Sequence, residues 1–251
     1  MNIAIITGAS SGLGKEFVFA VNKRYPELDE IWIIARRENR LNEIATDITK
    51  CRVIAMDITM PENLAALNKK LEQCNANIKL LINNAGFGRL ESFKNISLED
   101  NCAMVRLNCE AFTGLAAAVL PFIKSGGNII NICSIAAFTP NARMAVYSST
   151  KAYVMSFSRA LRFELRKDNI GVTAICPGPM DTEFLPVANI EKGTSKTFDM
   201  LPRVNPQILA AKSLKAAEKH RAVYTCKLFY KFYRLVSKIL PHAVTLYFAE
   251  A

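Results

Sequence analysis

Residues 5–14 read IITGASSGLG, and two chemistries fit that stretch. Gly8, Gly12 and Gly14 have the spacing of a loop that cradles a dinucleotide pyrophosphate. Gly8-Ala9-Ser10-Ser11-Gly12 equally fits the sharp turn that presents a nucleophilic serine. A phosphate loop must follow a strand and open a helix, so that backbone N–H groups and the positive end of the helix dipole face the phosphates. The apolar run Asn2 to Ile6 and the helical pattern over 12–24 supply both flanks. A serine nucleophile needs a histidine base, and the chain holds only His220 and His242, both in its basic last section with no matching acid, which reads as surface histidine. The stretch is therefore read as a dinucleotide cradle.

Working outward, short Ile- and Val-rich runs recur at Asn2–Ile6, Glu30–Ala35, Arg52–Met56, Ile78–Ile82, Asn128–Cys133 and Gly171–Cys176. They lack polar alternation, as strands buried on both faces of a parallel sheet do. Helical patterns at 12–24, 38–49, 61–75, 97–124 and 147–167 separate them, Pro61 suiting a first helical turn and Gly126-Gly127 the exit from the fourth helix. Strand and helix in alternation predict an α/β fold, a Rossmann-type doubly wound parallel sheet with helices on both faces. At 251 residues and 51% hydrophobic, the chain suits one compact domain over 1–251.

The formal charge of +10 is unevenly spread. Residues 203–251 carry nine Lys/Arg against Glu218 and Glu250, which is seven of the ten surplus charges. A basic last section on a nearly balanced body points to a local surface property, and no nucleic-acid recognition module accompanies it. Seven scattered cysteines, odd in number and without a Cys-x-x-Cys pair, suggest buried small hydrophobes in a reducing compartment, with no disulfide framework and no metal site. No basic leader precedes the first strand and no window reaches ~18 uncharged apolar residues, so a cytoplasmic protein is expected.

Tyr147 and Lys151 stand four residues apart at the start of a helix and so share one face. An ammonium there is expected to stabilise phenolate and draw the tyrosine toward the working range of a general acid or base. Ser134 ends a predicted strand at the same edge of the sheet, where its hydroxyl can bond a substrate oxygen.

With these residues in place, the chain resembles the classical short-chain dehydrogenase/reductase family. Thr7-Gly8-x-x-x-Gly12-x-Gly14 is similar to its cofactor loop, Asn83-Asn84-Ala85-Gly86 to the turn after its fourth strand, and Asn108, Ser134, Tyr147 and Lys151 to its catalytic tetrad. Pro177-Gly178 followed by Thr182 resembles the segment flanking the nicotinamide. The resemblance implies hydride transfer between a nicotinamide and a carbonyl or alcohol carbon. Tyr147 would pass the proton, Ser134 hold the oxygen, Lys151 bond the nicotinamide ribose, and Asn108 support a water relay to Lys151. It also implies that Gly8, Ser10, Ser11, Gly12, Leu13 and Gly14 hold the dinucleotide, that Asp57 and Ile58 flank the adenine, and that Asn84, Ala85 and Gly86 line the adenosine ribose. A homo-dimer or tetramer through the helices at 97–124 and 147–167 is implied too. A non-catalytic, regulatory dinucleotide-binding protein of the same fold is the alternative, and the intact tetrad argues against it.

The second strand ends Ile34-Ala35-Arg36-Arg37, without the acid that would hold a ribose 2′-hydroxyl. NADP(H) is therefore favoured over NAD(H), with Arg36 the first candidate for the 2′-phosphate and Arg37 the second. Residues 177–203, rich in Pro, Gly, Thr and Asn, read as a lid. Its apolar residues, Met180 and Phe184 first among them, suit a small-molecule substrate that is a hydrophobic 3-oxoacyl, steroid or other lipid-like ketone. The last section, 223–251, reads as a basic amphipathic C-terminal extension. On a helix over 227–240, Lys227, Lys231, Arg234 and Lys238 fall in one sector opposite Leu228, Phe229, Phe232, Leu235, Val236 and Ile239. Such a helix can pack on the body or a second subunit with its charges in water, cover the substrate pocket, or make weak contact with an anionic membrane surface; packing is the default expectation.

Overall fold

The computed structural model describes residues 1–190, 193 and 196–248; within the expected lid and C-terminal extension, residues 191–192, 194–195 and 249–251 lie outside the described residues. In chain order the elements are β1 Asn2–Thr7, α1 Gly12–Arg24, β2 Glu30–Ala35, α2 Glu38–Asp47, β3 Cys51–Ala55, α3 Pro61–Gln73 and β4 Asn77–Asn83. There follow α4 Leu98–Val105, a π-helical turn Arg106–Ala111, α5 Phe112–Val119, β5 Ile123–Ile132, α6 Ala145–Glu164 and β6 Gly171–Ile175. The last elements are α7 Phe184–Val187, α8 Lys196–Met200, α9 Pro206–Glu218, β7 Val223–Tyr224, α10 Leu228–Ile239 and α11 His242–Phe248.

The strands form one parallel sheet in the order β3-β2-β1-β4-β5-β6-β7. Alternate residues of each strand serve opposite layers. Ala4, Ile6, Ile31 and Ile33 pack with Phe17, Val18 and Val21 of α1. Ile3, Ile5, Trp32 and Ile34 pack with Leu67 and Leu71 of α3 and with Leu115 and Val119 of α5. Both faces being dry accounts for the unbroken apolar strands. Strand order reverses between β1 and β4, and a crevice opens there at the carboxyl ends of the strands.

Four expectations are corrected. The apolar pattern at 97–124 ends as a helix at Val119, followed by a 3₁₀ turn through Pro121. Gly126 and Gly127 lie inside β5, where the pairing jumps from Ile78 opposite Ile123 to Leu80 opposite Asn128; Gly126 takes φ +86° in the resulting bulge. Residues 203–224 are not a basic tail: Leu209, Ala210, Leu214 and Ala217 of α9 bury against α1, and Val223–Tyr224 join the sheet as β7 rather than opening the extension. Lys212 and Lys215 stay on the exposed side of α9 and conceal the pattern. Finally, Cys133 and Cys176 are buried as expected, but Cys102 is exposed.

The 25-residue helical stretch Leu98–Phe122, whose most apolar 18-residue window has mean hydropathy 1.3, is long and apolar enough to cross a membrane by length and composition alone. Here Phe112, Leu115, Ala116 and Val119 are buried within the fold, which gives its apolar character a packing cause. Ser97 caps its start by accepting from the Asp100 N–H at 3.0 Å.

Candidate active site

The glycine loop leaves β1 and turns directly into α1. Gly8 and Gly12 adopt φ +65° and +52°, which favour glycine, and a Cβ on Gly14 would stand 2.0 Å from the Gly8 carbonyl oxygen. Ser11, the residue preceding α1, makes no side-chain cap, and the first turn holds no acid. The first N–H groups of a 13-residue helix are thus left facing the crevice. The turn after β4 is stapled to this loop: Thr7 Oγ1 accepts from the N–H groups of Asn84 at 3.0 Å and Ala85 at 3.1 Å, and Asn84 Nδ2 donates to Thr7 O at 2.9 Å. Such uncapped amides behind side-chain-free backbone fit a pyrophosphate.

Asn108 sits in the π turn, whose extra residue sets its side chain toward the turn after β4. It accepts from Phe87 N–H at 3.1 Å and donates to Phe87 O at 2.8 Å and to Thr150 Oγ1 at 3.0 Å. It lies behind Gly86, where an added Cβ would meet Asn108 Oδ1 at 2.9 Å and Lys151 Nζ at 3.4 Å. Asn108 is therefore buried behind the cavity wall, whereas Ser134, Tyr147 and Lys151 line the cavity itself.

Ser134 precedes a short 3₁₀ turn and accepts from Ala136 N–H at 3.1 Å, which leaves its hydroxyl proton for Tyr147. Lys151 Nζ donates to Ile132 O at 3.0 Å and stands 5.7 Å from the centroid of the Tyr147 ring. The electrostatic expectation is corrected here. Burial pushes the Tyr147 phenol well above its ordinary value, with the Ser134 hydroxyl opposing the rise, while Lys151 is itself lowered by burial. The Lys151 ammonium faces the Ile132 carbonyl.

One cavity of about 1110 Å³ joins these parts. The wall residues include Gly8, Ser10, Ser11, Gly12, Leu13 and Gly14 at one end, Arg36, Arg37, Asp57, Ile58, Asn84, Ala85 and Gly86 beside them, and Pro177, Gly178, Met180, Thr182 and Phe184 opposite. The two arginines differ. Arg37 donates to Ser10 Oγ at 3.1 Å and Ser11 Oγ at 2.8 Å and pairs with Glu183 at 2.8 Å. Arg36 is largely exposed, 3.9 Å from Asp57. Burial raises the Asp57 carboxyl, but the N–H and hydroxyl of Thr59 together with Arg36 outweigh it and hold the group below the usual range. The Arg37 hydrogen bond likewise lowers Glu183.

The cavity wall also carries many apolar side chains, Leu185, Val187, Phe198, Met200 and Leu201 of the 177–203 segment together with Phe87 and Met144, with Arg89 and Asp100 among them. Phe229 and Tyr233 of α10 also line it, so α10 does border the pocket, and Tyr233 Oη lies 2.6 Å from Thr139 Oγ1. Several wall residues escape a reading of the sequence. Glu183 follows Thr182 without any motif of its own, and Arg89, held by Asp100 at 3.1 Å, is 11 residues from its partner. Gly88, which backs the Tyr147 ring without itself lining the cavity, has a signal only in hindsight: it follows Asn84-Ala85-Gly86-Phe87, and a Cβ there would meet the ring at 2.7 Å. Among the described residues no cluster of three or more His, Cys, Asp or Glu could hold a metal ion.

Comparison with known proteins shows the family. The family model for short chain dehydrogenases matches residues 2–192. An uncharacterized oxidoreductase of Staphylococcus epidermidis is 32% identical over 184 residues, covering 72% of this chain and 78% of its own. Among solved structures, a short-chain dehydrogenase from Sphingobium yanoikuyae in complex with NADPH superposes with TM-score 0.79 at 28% identity, over 95% of this chain and 94% of that one. L-sorbose reductase from Gluconobacter frateurii, complexed with NADPH and L-sorbose, gives TM-score 0.77 at 27% identity over 90% and 94%. With a Rossmann-like sheet, a glycine cradle and an in-order set of family motifs, the chain belongs to the short-chain dehydrogenase family of oxidoreductases.

Proposed function

We propose that the protein is an NADP(H)-dependent reductase that interconverts a ketone and a secondary alcohol on a hydrophobic small molecule. The observation that carries this reading is the one cavity whose wall holds the glycine cradle, Ser134, Tyr147 and Lys151, and many apolar side chains. A bound nicotinamide would supply or accept the hydride. Tyr147 donates its phenol proton to the carbonyl oxygen, or takes it back from the alcohol, and Ser134 orients that oxygen by hydrogen bonding. Lys151 would hold the nicotinamide ribose, and its positive charge in the same wall as Tyr147 would favour the phenolate. Asn108 ties Phe87 to Thr150 of α6 through its three hydrogen bonds, and it would support a water relay to Lys151.

For the cofactor, Arg37 with Ser10 and Ser11 forms a ready set of donors for a 2′-phosphate, and Arg36 stands at the same edge. NADPH in the two relatives named above supports the preference. The 177–203 segment acts as the substrate lid of one domain spanning 1–251, and Met180 and Phe184 contact substrate. Assembly as a homo-dimer or tetramer would use the outer faces of α4, α5 and α6, where Val105, Tyr153 and Phe163 are exposed. NADPH oxidation measured against fatty-acyl, steroid and ketose carbonyl compounds tests the whole reading. Tyr147→Phe should abolish turnover of any compound that reacts while leaving NADPH binding intact, and residual activity within tenfold of wild type would overturn the role.

A further inference from the structure

α10 packs on the body with an unexpected side. Tyr230 is wholly buried and donates through Oη to Pro202 O at 2.8 Å, Ser237 is buried beside it, and Tyr233 reaches Thr139. At 100° per residue these three positions fall within about 60° of one another. The side turned away carries Leu228, Phe232, Leu235 and Ile239, again within roughly 60°, and these side chains are 81, 66, 56 and 72% exposed. The expectation that the apolar arc faces the body therefore fails for Leu228, Phe232, Leu235 and Ile239, while Phe229 borders the cavity and Val236 is half-buried. A helix that keeps its tyrosines inward and its Leu, Ile and Phe row outward has an apolar face with no partner among the described residues.

What surrounds that row identifies the kind of surface it fits. Lys227, Lys231 and Lys238 are exposed along one edge of it. From Lys219 to Ala249 the chain has six Lys or Arg and no Asp or Glu. In the next helix, α11, Val244 and Leu246 are exposed as well. A second copy of the chain seated on this face would bring two sets of like charges together with no acid to balance them, which disfavours self-association there. An anionic bilayer matches both halves of the pattern: the apolar row enters the acyl boundary, and the lysines reach the phosphate headgroups along their flexible stems.

We infer that the exposed row Leu228, Phe232, Leu235 and Ile239, with Lys227, Lys231 and Lys238, is a docking surface for an anionic lipid bilayer. Phe229 and Tyr233, on the same helix, line the active-site cavity, so docking sets one wall of that cavity close to the lipid. The route this opens for a ketone dissolved in the bilayer rests on the hydrophobic-substrate reading; the docking surface itself does not.

The test uses the full chain and vesicles of phosphatidylcholine with and without about one-third phosphatidylglycerol, read by co-sedimentation at low and high salt. Wild type should sediment with the anionic vesicles and stay in solution with the neutral ones. Phe232→Ser/Leu235→Ser/Ile239→Ser should lose at least tenfold in partitioning, with NADPH binding and thermal unfolding unchanged, since none of the three lines the cavity. Lys231→Glu/Lys238→Glu should remove the salt-sensitive part. Wild type that never sediments with anionic vesicles, or a triple variant that partitions like wild type, overturns the inference. A triple variant that instead converts a dimer to a monomer in sedimentation velocity, without any vesicle effect, also overturns it and gives the face to a second copy. Because vesicle binding is read without substrate, intact binding alongside no turnover of lipophilic ketones would reject the substrate reading alone.

Discussion

Gly88→Ala tests how tightly the tyrosine is held. Gly88 lies against one side of the Tyr147 ring, where a Cβ would stand 2.7 Å from Cδ2, 3.0 Å from Cγ and 3.1 Å from Cε2. Ordinary contact begins at 3.4 Å, so the ring must retreat by about 0.7 Å at its near edge. Phe184 packs on the same ring, with the two ring centroids 5.7 Å apart. Gly88 does not have a positive φ, so an alanine backbone is allowed and the effect is one of contact. Displacement of a reacting group by ~1 Å costs on the order of 10²-fold in rate, which places the expected loss in kcat between about tenfold and 10²-fold, or ~1.4–2.7 kcal/mol of barrier. NADPH affinity should not move, because the glycine cradle and Arg37 lie at the other end of the cavity. The assay is kcat on a ketone that wild type reduces, with NADPH Kd from fluorescence quenching and a thermal melt alongside. A Gly88→Ala enzyme with kcat within threefold of wild type would refute the claim that the ring is pinned.

Two further outcomes follow from charge. Glu183→Gln frees Arg37 from its half-exposed carboxylate partner, and should raise the NADPH over NADH ratio of kcat/KM by about fivefold, the equivalent of ~1 kcal/mol for such a pair; an unchanged or reversed ratio would separate Glu183 from the 2′-phosphate. Because burial holds the Tyr147 phenol above its ordinary value, the proton donor stays loaded through neutrality. Ketone reduction should therefore be level between about pH 6 and 8, and alcohol oxidation, which needs the phenolate, should climb with pH; oxidation that declines from pH 7 to 9 contradicts that assignment.

Much of the site was legible because its residues are constrained locally. The phosphate cradle is one loop between a strand and a helix, and β2 and α1 have the very bounds that their apolar runs and helical pattern indicate. Tyr147 and Lys151 share a face by helical spacing alone. The partners of these residues are another matter. Thr7 meets Asn84 and Ala85 across 77 and 78 residues, and Arg37 meets Glu183 across 146 positions. No periodicity encodes such pairs; the sheet brings them together.

By itself, then, the sequence determined the alternation of strands and helices, the cradle and the chemistry-bearing side chains, since each depends on neighbours within a turn or two. Tertiary structure alone decided that α9 and β7 complete the body, that Gly126 and Gly127 bulge a strand, that Lys151 faces the Ile132 carbonyl, and that α10 turns its tyrosines inward. The physical reason is that a helical repeat specifies which residues lie together on a face, but not which face meets the body. Tyr230, with its ring in a tight slot over Gly178 and its hydroxyl on Pro202 O, settles that for α10 by satisfying apolar and polar demands at once, which a purely aliphatic face could not.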